Sequence, residues 1–298
     1  MSIELQPIQS SAPARPPAAF AGPWRVLRAV FAQRASAFGA SIIIVFLLAA
    51  LFGPLLTPYG ATQQIAADAR QPPSVQHWLG ADRLGRDVFS RILLGARDII
   101  SLAGLGSLSA VVLGAAFGLA GGYRGGLFDE VLFRIFDSFL ALPSLLIALL
   151  LLGTVGPSRE GVVVVIVVVY TPIVARVVRS VVLGVRARGF VEAAQTRGES
   201  TAYILLREIL PSVLPALTVE AALRFSYAIF LVASLGFLGV GVQPPNPDWG
   251  LMVNENRNYL TLTPWALYFP VAAISLLVIG INLFADGLKH ALLVPDAS

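Results

Sequence analysis

Hydrophobic positions gather into six long runs, at about 38–56, 99–122, 131–152, 161–183, 214–242 and 269–288. Each approaches the roughly 20 mostly apolar residues that a helix needs to cross a bilayer. The first run ends at Pro54 and Pro58, and the fourth carries Arg176 and Arg179 in its last turns, where long side chains can reach the headgroups. Residues 162–169 are β-branched throughout and in water would favour a strand. They do not alternate with polar residues, and the apolar stretch runs past strand length. In lipid, a helix that satisfies its own backbone is the open-chain solution. The pattern predicts an all-α integral membrane protein with six transmembrane helices.

Residues 1–23 are rich in Pro, Ala and Ser and show no hydrophobic period, which predicts a disordered tail. The first apolar run starts late and is long enough to stay as an anchor, so a cleaved signal peptide is not expected. The chain divides into a tail at 1–37, a first span with its outer loop at 38–98, a transmembrane domain at 99–290 and a short tail at 291–298. Orientation follows from the arginines. Arg25, Arg28 and Arg34 precede the first span, and Arg176, Arg179, Arg186, Arg188, Arg197 and Arg207 surround the fourth-to-fifth connection. Six spans then put both termini and that connection in the cytoplasm. The long first loop is discordant, since it holds Arg70, Arg83, Arg86, Arg91 and Arg97 on the outer face.

Composition sharpens the class. Of 298 residues, 56% are hydrophobic and 13% charged, against roughly 45–50% and 25% in soluble domains; the mean hydropathy is +0.78. Without cysteine there are no disulfides or thiolate metal sites. His77 and His290 lie too far apart in sequence for a multi-histidine metal site. The net charge of +4 comes from arginines scattered between apolar runs, which fits membrane flanks rather than nucleic-acid binding.

Residues 185–211, VRARGFVEAAQTRGESTAYILLREILP, are too polar to span and too patterned for a linker. Residues 191–196 favour a helix, Gly198 breaks it, and a second short helix at about 201–210 sets Tyr203, Leu206 and Leu210 on one face with Ile209 beside them. Pro211 is expected to end it. Such a knob with an apolar stripe implies a docking partner.

Glu192-Ala193-Ala194, Gly198 and Ile209-Leu210-Pro211 resemble the EAA motif of permease subunits of binding-protein-dependent ABC importers. His77-Trp78-Leu79-Gly80 with Leu84-Gly85-Arg86-Asp87 is similar to the outer loop of the dipeptide, oligopeptide and nickel branch, C-type subunit. SLGFLGVGVQPP at 234–245, followed by Pro247-Asp248-Trp249-Gly250, resembles that branch again. The resemblance covers nearly the whole chain beyond the tail. It implies a type I ABC importer permease fold in a bacterial inner membrane, pairing with a homologous permease subunit. Two cytoplasmic ATP-binding subunits would drive it and an extracytoplasmic solute-binding protein would feed it. It also implies that Glu192, Ala193, Ala194, Gly198, Ile209, Leu210 and Pro211 couple to an ATPase, and that His77 and Trp78 face the binding protein. Thr196-Arg197 depart from the small or apolar residues common before that glycine, and Arg197 puts a charge on the docking surface. GxxxxGK[ST] is absent, so the chain itself is not expected to hydrolyse ATP, and no cofactor is expected.

Glu220 and Arg224 lie one turn apart inside the fifth span. Two readings stand: the pair neutralises itself against a neighbouring subunit, or Arg224 lines the pathway and favours an anionic or carboxylate-bearing solute. A charge at mid-bilayer costs roughly 2.5–3.5 kcal/mol by insertion scales, so the pair needs one reason or the other. Asp286 reads as interfacial, Asn282 as an interhelical hydrogen-bonding residue, and Gly236, Gly239 and Gly241 as close-packing positions. The alternative function is an ion-gradient-driven secondary transporter, a class that usually shows inverted repeats; no internal repeat stands out. An intramembrane serine protease would need a histidine in a span, and neither histidine is in one.

Overall fold

The structure, a computed structural model, describes residues 23–293. The expected tail at 1–22 and the last residues, 294–298, lie outside it. The described elements are helices, with one isolated bridge between Ala81 and Asp87. A short amphipathic α1 (Pro23–Ala32) leads into α2 (Arg34–Leu56), followed by α3 (Val88–Arg124), α4 (Gly126–Leu140), α5 (Ser144–Val155) and α6 (Arg159–Val185). The knob holds α7 (Gly189–Thr196) and α8 (Thr201–Tyr203). Then come α9 (Leu210–Phe237), α10 (Trp249–Asn256) and α11 (Trp265–Leu293).

Among the described residues five helices are long and apolar enough to cross a membrane, and α4 with α5 forms a sixth candidate bent by 90°. The expected straight span at 131–152 is therefore broken. Pro143 is the N-cap of α5 and has no N–H to continue a ladder, while it also pushes Leu142 out of the helical region. The bent pair still has to carry the chain across, because α3 and α6 run parallel. Gly106 faces Ile166, Gly114 faces Val174, Gly118 faces Val178 and Gly122 faces Val182, in the same order along both helices. These glycines line one stripe of α3, and the α6 valines sit in it so closely that an added Cβ would come within 2.6–2.9 Å of their side chains. Small residues at such a seam let backbones approach where no hydrophobic force drives helices together. Of the β-branched run at 162–169, which is helical throughout, Ile166 sits in this glycine groove.

α2 and α11 cross antiparallel through Gly39 and Gly280, where a Cβ on Gly39 would stand 2.5 Å from the Gly280 carbonyl oxygen. The main core joins α2, α3, α5, α6, α9, α10 and α11 around Ile99, Ile166, Ile229, Trp249 and Leu277. A second cluster ties the knob to the ends of α3 and α6. A third sets Val30 of α1 against Val219 and Leu288. The knob, α1 and the end of α11 accordingly share one face of the bundle, called here the base. The 57–87 loop and α10 share the other, where the Trp265 indole at the start of α11 donates to the Ala81 carbonyl at 2.9 Å.

Arg176 and Arg179 each pair with a carboxylate of α4. Arg179 is bonded to Asp129 of α4, with Nε at 2.6 Å from Oδ1, and lies over the Phe133 ring; Arg176 pairs with Asp137. Pro211 does not end the second knob helix. Residues Thr201–Phe237 form one continuous helix in which Ile204–Ile209 widens to a π turn and the Leu210 N–H reaches the Leu205 carbonyl. The wider turn accommodates a proline ring that would clash with a regular preceding turn. At its other end α9 stops at Phe237, five residues short of the apolar run: Gly239 takes φ +77° and turns the chain.

Candidate functional site

The knob is built outward from a buried root. Along α7, Val191 and Ala194 are fully buried with Ile204, Ile209 and Val213 against Val178, Val182 and Val185 of α6. Glu192, Ala193, Gln195 and Thr196 face outward on the same helix. Gly198 closes it with φ +76°: its N–H bonds the Gln195 carbonyl at 2.9 Å and the Glu199 N–H bonds that of Ala194 at 3.2 Å, the double bond of a Schellman cap. The space around Gly198 is open, so the glycine answers to backbone conformation rather than to packing within this chain. Ser200 caps the next helix, accepting from the Tyr203 N–H at 3.2 Å. Of the stripe expected to be free, Tyr203 and Leu206 are exposed whereas Ile209 is part of the root. The Arg197 charge is offset by Glu199 at 3.6 Å and Glu208 at 3.7 Å.

On the opposite face, His77 turns inward. It is fully buried, with Nδ1 at 2.8 Å from Asp87 and Nε2 at 3.3 Å from Asp68, and its ring stacks on Tyr59. Burial pulls its pKa down, but the two carboxylates more than offset this and hold it above the usual histidine value. Asp87 also caps α3 through the Ser90 N–H at 2.7 Å, so His77 pins the loop to the start of that helix. Trp78, 66% exposed, is the member of the pair that faces outward.

Beside it lies a cluster that sequence reasoning missed. Asp82 Oδ2 accepts from Arg86 Nε at 2.6 Å and Arg91 Nη1 at 2.9 Å, while Glu255 Oε2 accepts from Arg86 Nη2 at 2.6 Å and Arg91 Nη1 at 3.2 Å. Two guanidinium groups and two carboxylates close a neutral ring that fastens the loop and α3 to α10. Asp82 and Arg86, four apart, were its local signal; Glu255 lies 169 residues from Arg86. Next to it Asp248 caps α10, accepting from the Leu251 N–H at 2.8 Å. Its carboxyl is 1% exposed, and burial pushes its pKa up to about 7. Gly236 makes room for it, since a Cβ there would come 2.0 Å from Asp248 Oδ1. Gly241 packs against Gly236, with an added Cβ 2.7 Å from the Gly236 nitrogen, so two of the three expected packing glycines serve that purpose.

Glu220 and Arg224 meet at 2.8 Å within α9, and Arg224 lines a cavity of about 300 Å³. The guanidinium lies between the rings of Tyr227 and Tyr170, 4.8 and 5.6 Å from their centroids. Among the described residues no cluster of His, Asp or Glu could hold a metal.

Residues 110–293 match the family described as binding-protein-dependent transport system inner membrane component, and residues 22–73 match the N-terminal TM domain of oligopeptide transport permease C. The chain is 38% identical over 271 residues to the dipeptide transport system permease protein of Alkalihalophilus pseudofirmus, covering 91% of this chain and 89% of that protein. It is 37% identical to the glutathione transport system permease proteins of Pectobacterium atrosepticum, over 272 residues, and Escherichia coli, over 276 residues, covering 91% of this chain and 90% of each. With its helical bundle, its rooted knob and these matches, the chain belongs to the inner-membrane permease components of binding-protein-dependent ABC importers, in the peptide and nickel branch.

Proposed function

We propose that this permease passes peptides or a related small solute, driven by ATP hydrolysed on two separate cytoplasmic subunits, with the base facing the cytoplasm. A homologous permease completes the pathway, and a solute-binding protein delivers to the loop face, where Trp78 is exposed. The observation that carries the reading is the knob: its polar face of Glu192, Ala193 and Thr196 is free, while Val191 and Ala194 root it in the ends of α3, α6 and α9. A push on that face moves three spanning helices together, which is what coupling ATPase closure to alternating access requires. Glu192 and Gly198 meet the ATPase; Ala194, Ile209, Leu210 and Pro211 transmit the motion; Glu220 and Arg224 line the path.

The test is a pull-down of the tagged chain from detergent-solubilised membranes, wild type beside Glu192→Ala/Gly198→Asp. Recovery of an ATP-hydrolysing partner with wild type, lost in the variant while the second permease stays bound, is expected. Equal recovery of the ATPase by both removes the coupling role of the knob. No ATPase with wild type, together with ion-driven uptake by the chain alone, removes the ATP-driven reading.

A further inference from the structure

Arg224 is the fifteenth of the 28 residues of α9. At about 1.5 Å per residue it lies about 20 Å from either end of the helix, out of reach of lipid phosphate. A guanidinium at that depth faces a bundle interior or a water-filled cavity, and this one borders a cavity shared with Ser144, Tyr170, Tyr227 and Ser234. Two features separate it from a pair that only neutralises itself. The side chain comes closest to Glu220 through Nε, at 2.8 Å, in a geometry that makes no aligned hydrogen bond. Among the described residues neither Nη is hydrogen-bonded, so the bidentate edge of the fork is free.

The surroundings hold that edge in place. The Tyr170 hydroxyl donates to the Tyr227 backbone carbonyl at 3.0 Å, which fixes one ring against α9, and the guanidinium rests between that ring and the ring of Tyr227. Glu220 anchors the stem side. The cavity adjoins a second, of about 440 Å³, lined by apolar side chains including Phe237, Val271 and Ile274 and sharing Leu145, Phe230 and Ser234 with the first. An anion-binding edge thus opens beside an apolar chamber.

We infer that the Arg224 edge, held between Tyr170 and Tyr227, is a subsite for the carboxylate of the transported solute, with the solute's apolar part in the adjoining chamber. The inference rests on the importer reading. Glu220 is a positioning residue and cancels the charge when the subsite is empty, so the unloaded path is not a trap for small anions.

The test uses the complete assembly, with its ATPases and binding protein, in proteoliposomes. Uptake of alanyl-alanine is compared with that of alanyl-alanine amide, and of glutathione as a second carboxylate probe. Comparing variant with wild type on the same binding protein cancels that protein's own preference. Arg224→Gln is expected to lower kcat/KM for the carboxylate probes by about tenfold or more, as loss of a charge-assisted pair implies, and for the amide by less than about threefold. Arg224→Lys, keeping the charge without the fork, should fall between. Co-purification of the partners establishes assembly, and if Arg224→Gln fails to assemble, Arg224→Lys carries the comparison. An unchanged acid-to-amide ratio in an assembled variant overturns the subsite and leaves the importer standing. Wild-type assemblies that take up none of the probes with ATP overturn the peptide reading and the subsite with it.

Discussion

Asp248 makes the stability of the loop face depend on pH. Its carboxyl is buried and caps α10, and its pKa is raised by burial to about 7 from an ordinary 3.8. Between those values the folded protein holds a proton that the unfolded chain has released. Stability is therefore highest at low pH and falls as pH rises towards the folded pKa. For a folded value of about 7, moving from pH 6 to pH 8 removes about 1.4 kcal/mol, one pKa unit's worth. In a protein of this size that corresponds to a drop in Tm of about 2 °C. His77 adds a slope of the same sign, because its pKa is also raised: its contribution is complete below the ordinary histidine value and is lost as pH climbs through the raised one. The difference between wild type and Asp248→Asn isolates the carboxyl, since asparagine keeps the oxygen that caps the Leu251 N–H. Intrinsic fluorescence in detergent follows it, Trp249 being the next residue and fully buried. The variant should be more stable than wild type at pH 8 and should lose that part of the slope. A variant with the full wild-type slope would show that Asp248 is ionised throughout and that its burial is not what it reports.

Two further outcomes follow from packing and charge. Gly118→Ala should destabilise by about 1–3 kcal/mol, as overpacking does, because its Cβ would lie 2.6 Å from the Ala175 carbonyl oxygen and the Val178 Cβ; Gly184→Ala, with open space around it, should not, and equal melting of both in detergent would refute the seam. Glu255→Ala leaves Arg86 and Arg91 sharing Asp82 alone, at a cost of about 3–5 kcal/mol for a broken buried pair; limited proteolysis should then cut residues 57–87 faster than in wild type, and an unchanged cleavage rate would mean the ring does not hold the loop.

Much of the fold was legible because lipid leaves the backbone few choices: five of six apolar runs became single helices, two of which start 11 and 13 residues before the expected bounds. The departures come from single residues that average hydropathy does not register. Pro143 breaks the third run, and Pro211 fails to break a helix because the π turn before it supplies room. The knob was legible in its local signals, the Gly198 cap above all, but not in which side chains form its root: Ile209 and Tyr203 look alike as apolar positions, and only packing against Val178 and Val182 tells them apart. The Glu220–Arg224 pair was visible from its spacing. Tyr227, three residues on from Arg224, shared that local face, whereas Tyr170 arrives from another helix and left no sequence trace.

The arginines of the long loop illustrate how one residue type answers two demands. Counted for orientation, Arg70, Arg83, Arg86 and Arg91 argue against placing that loop outside the cell. In the folded chain Arg86 and Arg91 close the ring with Asp82 and Glu255, and Arg70 and Arg83 lie over the Tyr259 ring. Their presence is explained by the structure they build on the loop face, a constraint independent of insertion. Arg25, Arg28, Arg188 and Arg207 have no such account: among the described residues none has a carboxylate partner, and all lie at the base. Arginines that do no structural work are the ones whose placement is free to follow the insertion rule. Their concentration at the base therefore favours the proposed cytoplasmic base more strongly than the raw count does.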